Sequence, residues 1–171
     1  MPADVLRLDN ALVMRTRLYD ASWTEGKLHL TGHAFPEHLG AEHRSDMVKV
    51  LVLREAKGRR VLALPAKAQY SPEATSSSPH DLYSCDWAGF RAVIDPKRLK
   101  HRGEWREGSW RVLIAGIGKG GVYKGRISGG WSDRAEYPPV HWVEDDVRVV
   151  PWLKDNHVNL RVEKVRARAA A

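Results

Sequence analysis

Cysteine is almost missing from this chain: Cys85 is the only one in 171 residues. No disulfide can form within the chain, and a buried, inert thiol in a reducing compartment is the expected state. No apolar run approaches the roughly 20 residues that a membrane-spanning helix needs. The opening Met1-Pro2-Ala3-Asp4 has no basic stretch leading into a hydrophobic one, so no leader is expected. Phenylalanine is scarce too, two residues against seven tryptophans.

Motifs with chemistry are equally sparse. His33, His38 and His43 recur every fifth position beside Glu37 and Glu42, but that step does not place ligands on one strand face. Pro36 and Gly40 mark the segment as a loop of surface or capping histidines. Glu144, Asp145 and Asp146 lack the spaced oxygen ligands and glycine of a calcium loop and read as a solvated turn. Gly116, Gly118, Gly120 and Gly121 surround Lys119, yet glycine rather than Ser or Thr follows the lysine, and a strand pattern follows that. A glycine-rich hairpin turn is expected there, not a phosphate loop. No serine sits in a nucleophile elbow, and no two carboxylates are placed as acid and base. The expectation is therefore no catalytic residue, no metal and no cofactor.

What the chain does have is positive charge, tryptophan and a period of two. Lys and Arg number 28 against 21 Asp and Glu, a net charge of +7. Such a surface attracts phosphates. Basic residues gather at Lys97, Arg98, Lys100, Arg102, Arg106 and Arg111, and again in the tail at Lys164, Arg166 and Arg168. Strand patterns, most of them with a period of two, run over Leu12–Leu18, Leu28–Leu30, Met47–Leu53, Arg60–Leu64, Cys85–Ile94, Trp110–Ile117, Gly121–Ile127, Val147–Pro151 and Val158–Val162. Met47–Leu53 is nearly continuous in aliphatics, as in a central strand, and pairs with the next run through a Lys57-Gly58 turn.

About nine short strands with no amphipathic helix predict an all-β, immunoglobulin-like antiparallel sandwich over residues 1–171, frayed at 1–10 and 164–171. A closed β-barrel is the alternative. Asp95-Pro96 is an N-cap followed by proline and predicts one helical turn through Lys100. Ser71–Pro79, rich in Ser, Pro and Thr, reads as a loop. The predicted core comprises Leu30, Val50, Val52, Trp87, Phe90, Trp110, Val112, Ile114, Leu160 and Val162. Trp105 and Trp131, beside Gly103 and Gly130 in polar loops, are expected to be exposed. With Arg102 and Arg106 they form the candidate ligand-binding set, because guanidinium groups interleaved with tryptophan suit phosphates and rings.

A further pattern is Trp23 with Gly26, Leu28, Leu30, Gly32 and Ala34, then Asp86-Trp87-x-Gly89-Phe90 with Ile94-Asp95 and Leu99. Gly108-x-Trp110-x-Val112 and Pro151 before Leu160 complete it. This pattern resembles the β-rich accessory domain of actinobacterial wall-polymer transferases of the teichoic-acid type, which combine glycosyltransferase and CDP-glycerol glycerophosphotransferase modules. The resemblance covers about residues 12–163. It implies a non-catalytic accessory role and supplies no catalytic residue, since the chemistry belongs to modules absent from this chain. The partners it implies are an anionic wall polymer or glycan, or the transferase modules themselves, in the cytoplasm or at the inner face of the plasma membrane through a parent transferase. Homo-oligomer formation stays open. Two other classes stand beside this one: a nucleic-acid-binding β-barrel using the same basic and aromatic residues, and a small ligand-binding barrel or hydrolase with a polar pocket.

Overall fold

The computed structural model describes residues 12–36, 39–76, 84–118, 120–129 and 140–166. Ten strands occur among them: β1 Leu12–Thr24, β2 Lys27–Pro36, β3 Met47–Glu55, β4 Val61–Gln69, β5 Gly89–Ile94, β6 Gly108–Gly118, β7 Gly121–Arg126, β8 His141–Glu144, β9 Val147–Lys154 and β10 His157–Lys164. A single turn of helix, α1 at Pro72–Ser76, lies inside the Ser/Pro-rich loop. Pro96–Leu99 forms the expected helical turn, a 3-10 turn with the Asp95 carboxylate accepting from Lys97 N–H at 3.0 Å.

Pairing runs β3-β4-β5-β2-β1-β7-β6 and returns to β3, so seven strands close into a barrel. The sequence leaves a sandwich and a barrel both open. Edge pairings β3–β4 and β1–β7 join what would otherwise be two sheets, and closure removes the exposed edges that an open sheet would carry. All contacts in the ring are antiparallel except β1–β7, which is parallel and only two residue pairs long. β10, β9 and β8 extend outward from the first half of β6, where Leu160 faces Trp110. Tight turns with two left-handed residues, Glu25-Gly26 and Asp155-Asn156, close the β1–β2 and β9–β10 hairpins, as the twist of the strands requires.

The barrel interior is filled from the seven ring strands: Leu18, Leu28, Leu30, Leu51, Leu53, Leu64, Phe90, Ile94, Trp110, Val112, Ile114 and Tyr123, with Ile127 just after β7. Space is tight where β2 crosses the bulge of β1. A Cβ on Gly32 would lie 2.2 Å from the carbonyl oxygen of Arg17. Gly32→Ala is expected to destabilise the fold by about 1–3 kcal/mol through backbone displacement. An unchanged chemical-denaturation midpoint would show that the strands can part without penalty.

Several sequence expectations need correction. The fifth strand begins at Gly89, not Cys85, because Ala88 N–H bonds Cys85 C=O at 2.8 Å and turns the chain just before it. Trp87 sits in that turn, half-buried against Tyr70, and is not in the interior. Val50 and Val52 are buried as expected, in a second cluster with Ala115 on the outer face of β3. His33 is in β2 and buried, not in a surface loop. His43 lies in the exposed loop before β3. Cys85 is buried, in a small cluster with Phe35, Ala41, Ala74 and Ala88. His38, Lys119, Trp131, residues 77–79, residues 1–10 and the tail beyond Arg166 lie outside the described residues. No helix among the described residues is long and apolar enough to cross a membrane.

Candidate functional site

Local sequence places the first basic residues. His101 and Glu104 pair across a two-residue turn in which Arg102 and Gly103 both have positive φ, 51° and 78°. The turn directs Arg102 into solvent and away from its neighbours in the sequence. Trp105, which follows it, is 6% exposed and belongs to the core. Its indole N–H donates to Glu144 Oε1 at 2.7 Å, and Lys100 lies over the ring while pairing with Glu144 at 3.4 Å. That hydrogen bond, ahead of the Lys100 contribution, holds the Glu144 carboxyl below its usual range. Trp105 is thus not the exposed platform its polar surroundings suggested. A polar flank indicates exposure only if nothing folds over it, and β8 does.

Arg106 and Arg111, by contrast, line a cleft of about 760 Å³ at one end of the barrel. The β3–β4 turn contributes Lys57 and Arg60, the end of β7 contributes Arg126, and the β9–β10 hairpin contributes Trp152, Lys154, Asp155 and Asn159. Six cationic side chains (Lys57, Arg60, Arg106, Arg111, Arg126 and Lys154) face three carboxylates (Glu55, Glu107 and Asp155). Some of this charge is already engaged. Arg60 donates to the carbonyls of Leu99 and Lys100 at 3.2 and 2.8 Å, and Glu107 accepts from Lys164 N–H at 2.9 Å.

The floor of the cleft is set by strand register. Arg111 pairs with Arg54 of β3 on one side and with Asn159 of β10 on the other, so two arginines occupy directly opposite positions on adjacent strands. Like charges in that position destabilise a sheet. Arg126 donates from Nη2 to Asn159 Oδ1 at 3.2 Å. Burial first and the Arg111 charge second hold the Arg126 guanidinium below its ordinary pKa, with Asp155 opposing. Arg126 Nε and Trp152 Nε1 are buried and have no hydrogen-bond partner among the described residues. Two donors without acceptors, beside crowded cations, are the arrangement that an anionic ligand would complete.

Of the sequence-derived set, the structure brings Arg106 to this cleft, together with Arg111 of the same basic segment. Arg102 and Trp105 are elsewhere, and Trp131 lies outside the described residues. Arg60, Arg126, Trp152 and Asn159 were not picked out from the sequence. Each is an ordinary polar or amphipathic residue on a strand or turn, and only the pairing of β6 with both β7 and β10 assembles them. No group of three or more His, Cys, Asp or Glu side chains among the described residues is placed to hold a metal ion.

No protein-family model matches the chain, and no curated protein is similar to it. Among solved structures, residues 217–571 of TarS from S. aureus share its fold, with a TM-score of 0.60 at 13% sequence identity. The match covers 88% of this chain and 39% of that one, so this chain spans about two-fifths of the structure it resembles.

Proposed function

We propose that this chain is a non-catalytic accessory module of a cell-wall polymer transferase, and that it holds an anionic glycan or glycerophosphate polymer in the cleft around Arg111 and Arg126. The observation that carries the reading is a pair of buried donors without a partner among the described residues, Arg126 Nε and Trp152 Nε1, in a cleft with an excess of cations. TarS is a teichoic acid glycosyltransferase. A shared fold with part of it supports the setting in which such a module would work. Strand grouping supports the immunoglobulin-like form of the reading. The ring divides into β4-β5-β2-β1 and β3-β6-β7, which is the D-E-B-A and C-F-G grouping of an immunoglobulin constant domain when the strands are lettered in order.

A nucleic-acid ligand fits less well, because unpaired bases need open aromatic faces. In the cleft Trp110 is buried beneath Arg60, and Trp152 has Arg161 over its ring at 5.1 Å. Module packing is the second reading, favoured by the outer barrel face. There Val48 is 65% exposed and pairs with Ile117, which pairs with Val122, giving an apolar row across β3, β6 and β7.

Calorimetric titration of a short poly(glycerol phosphate) oligomer tests the leading reading. Arg111→Ala and Arg126→Ala should each weaken binding by about 1.5–3 kcal/mol, the usual contribution of a hydrogen bond to a charged group. Both should also lessen its salt dependence. Trp105→Phe should leave affinity unchanged. Loss of binding with Trp105→Phe alone would return the site to the Arg102–Arg106 segment. Absence of binding by the parent chain would leave module packing.

A further inference from the structure

The short β1–β7 pairing has a consequence on the other side of Arg126. Beyond Val13 and Lys124 the two strands separate, and the Thr16 hydroxyl spans the gap, donating to Arg126 C=O at 2.6 Å and accepting from Ser128 N–H at 3.0 Å. The separation opens a second cleft of about 750 Å³, in which Arg15, Arg17, His33, Arg126 and His157 are the ionisable groups. None of its lining residues among those described carries a carboxylate. His157 Nδ1 is buried there without a hydrogen-bond partner among the described residues. Arg126 lines both clefts, so they adjoin at this residue.

His33 brings a different chemistry. Ser71 Oγ donates to the Glu73 carboxylate at 3.0 Å, which uses its only proton. Tyr19 O–H must then donate to Ser71 Oγ at 3.0 Å, and His33 Nδ1–H must donate to Tyr19 Oη. That direction of donation leaves Nε2 of the neutral imidazole as a lone-pair acceptor, suited to a hydroxyl and unsuited to a phosphate oxygen. Guanidinium donors and an uncharged acceptor thus line one cavity, and together they match a phosphodiester joined to a hydroxylated carbon chain.

We propose that this second cleft is a subsite continuous with the first through Arg126, and that the ligand is a linear polyol phosphodiester placing successive phosphates on the Arg111 and Arg17 sides. The proposal rests on the anion-binding reading above and adds a length requirement to it. Two linked phosphates engage two sites with one loss of translational freedom, so a chain should bind more tightly than its unit.

The test compares a single glycerol phosphodiester with a poly(glycerol phosphate) oligomer, titrated against the parent chain, Arg17→Gln and Lys27→Gln. Arg17 is exposed on β1, and Lys27 is an exposed cation on β2 lining neither cleft, so both variants should fold, as melting curves will check. The oligomer is expected to bind the parent at least about tenfold more tightly than the single diester. Arg17→Gln should abolish most of that gain while leaving affinity for the single diester intact, and Lys27→Gln should preserve both. A gain that survives in Arg17→Gln overturns the second subsite and leaves the first cleft standing. Failure of both probes to bind the parent overturns the anion-binding reading itself. Single-stranded DNA of matched charge showing the same gain and the same dependence on Arg17 overturns the assignment to a polyol chain.

Discussion

Phe90→Ala is expected to cost about 3–5 kcal/mol, the range for deleting a fully buried aromatic ring. Phe90 is 0% exposed and faces the barrel interior from β5, directly opposite Gly32 on β2. Neither neighbour can fill the space it would leave. The Gly32 backbone is already held against Arg17 by the bulge of β1, and the other facing residue, Ala68 of β4, is too small to reach into the space. With only two phenylalanines in the chain, few large rings share this task. Urea denaturation read by tryptophan fluorescence will measure the loss, and a midpoint close to that of the parent would remove Phe90 from the core.

Acid should destabilise the fold through His33. Burial, and next the Arg17 charge, hold its pKa at about 4 against an ordinary 6.5, with Glu73 opposing. The unfolded chain takes up a proton near 6.5 and the folded chain only near 4, so the unfolded state binds more protons across that window. Stability therefore falls as pH drops from about 6.5 to about 4 and is unaffected by this group above or below it. The loss reaches roughly 3 kcal/mol, from about 1.4 kcal/mol for each pKa unit. Glutamine cannot titrate but can bond the Tyr19 hydroxyl, so His33→Gln should show a flatter decline over the same window. Parallel declines in parent and variant would locate the acid sensitivity in other groups.

The β architecture was legible because two-residue alternation survives in nearly every strand, most clearly at Val158, Leu160 and Val162 of β10, all buried. Errors came where a local pattern had two causes. Val50 and Val52 are core as expected, but in a separate cluster on the outer side of β3, a division that alternation cannot show in a strand buried on both faces. His33 was hidden by Pro36 and Gly40, which mark the end of β2 and the loop after it but not its start. β8 is four residues long and carries too few alternations to register.

The candidate site was legible only as composition. Excess arginine and excess tryptophan suggested a binding patch, but the structure spends part of both internally. Arg60, Lys100, Arg148 and Arg161 lie over Trp110, Trp105, Trp142 and Trp152 at 5.1–5.6 Å. Such contacts hold the polar ends of strands against the barrel and need no ligand. What remains for a ligand is the charge not neutralised by a carboxylate among the described residues, at Arg111 and Arg126, and that surplus becomes visible only once Arg111 is seen opposite Arg54 and Arg126 beside Asn159. Strand pairing between residues far apart in sequence is a long-range property, whereas composition and alternation are local ones.

The most direct measurement is a nitrogen–proton NMR titration of the chain with poly(glycerol phosphate), following the indole N–H of each tryptophan and the Nε–H of each arginine. Trp152 Nε1–H and Arg126 Nε–H lack acceptors among the described residues, whereas Trp105 Nε1–H is already held by Glu144. The account predicts that the Trp152 and Arg126 signals move downfield as the ligand supplies oxygen acceptors, in proportion to the bound fraction, while the Trp105 signal stays in place. Saturable binding with Trp152 and Arg126 unmoved would contradict it.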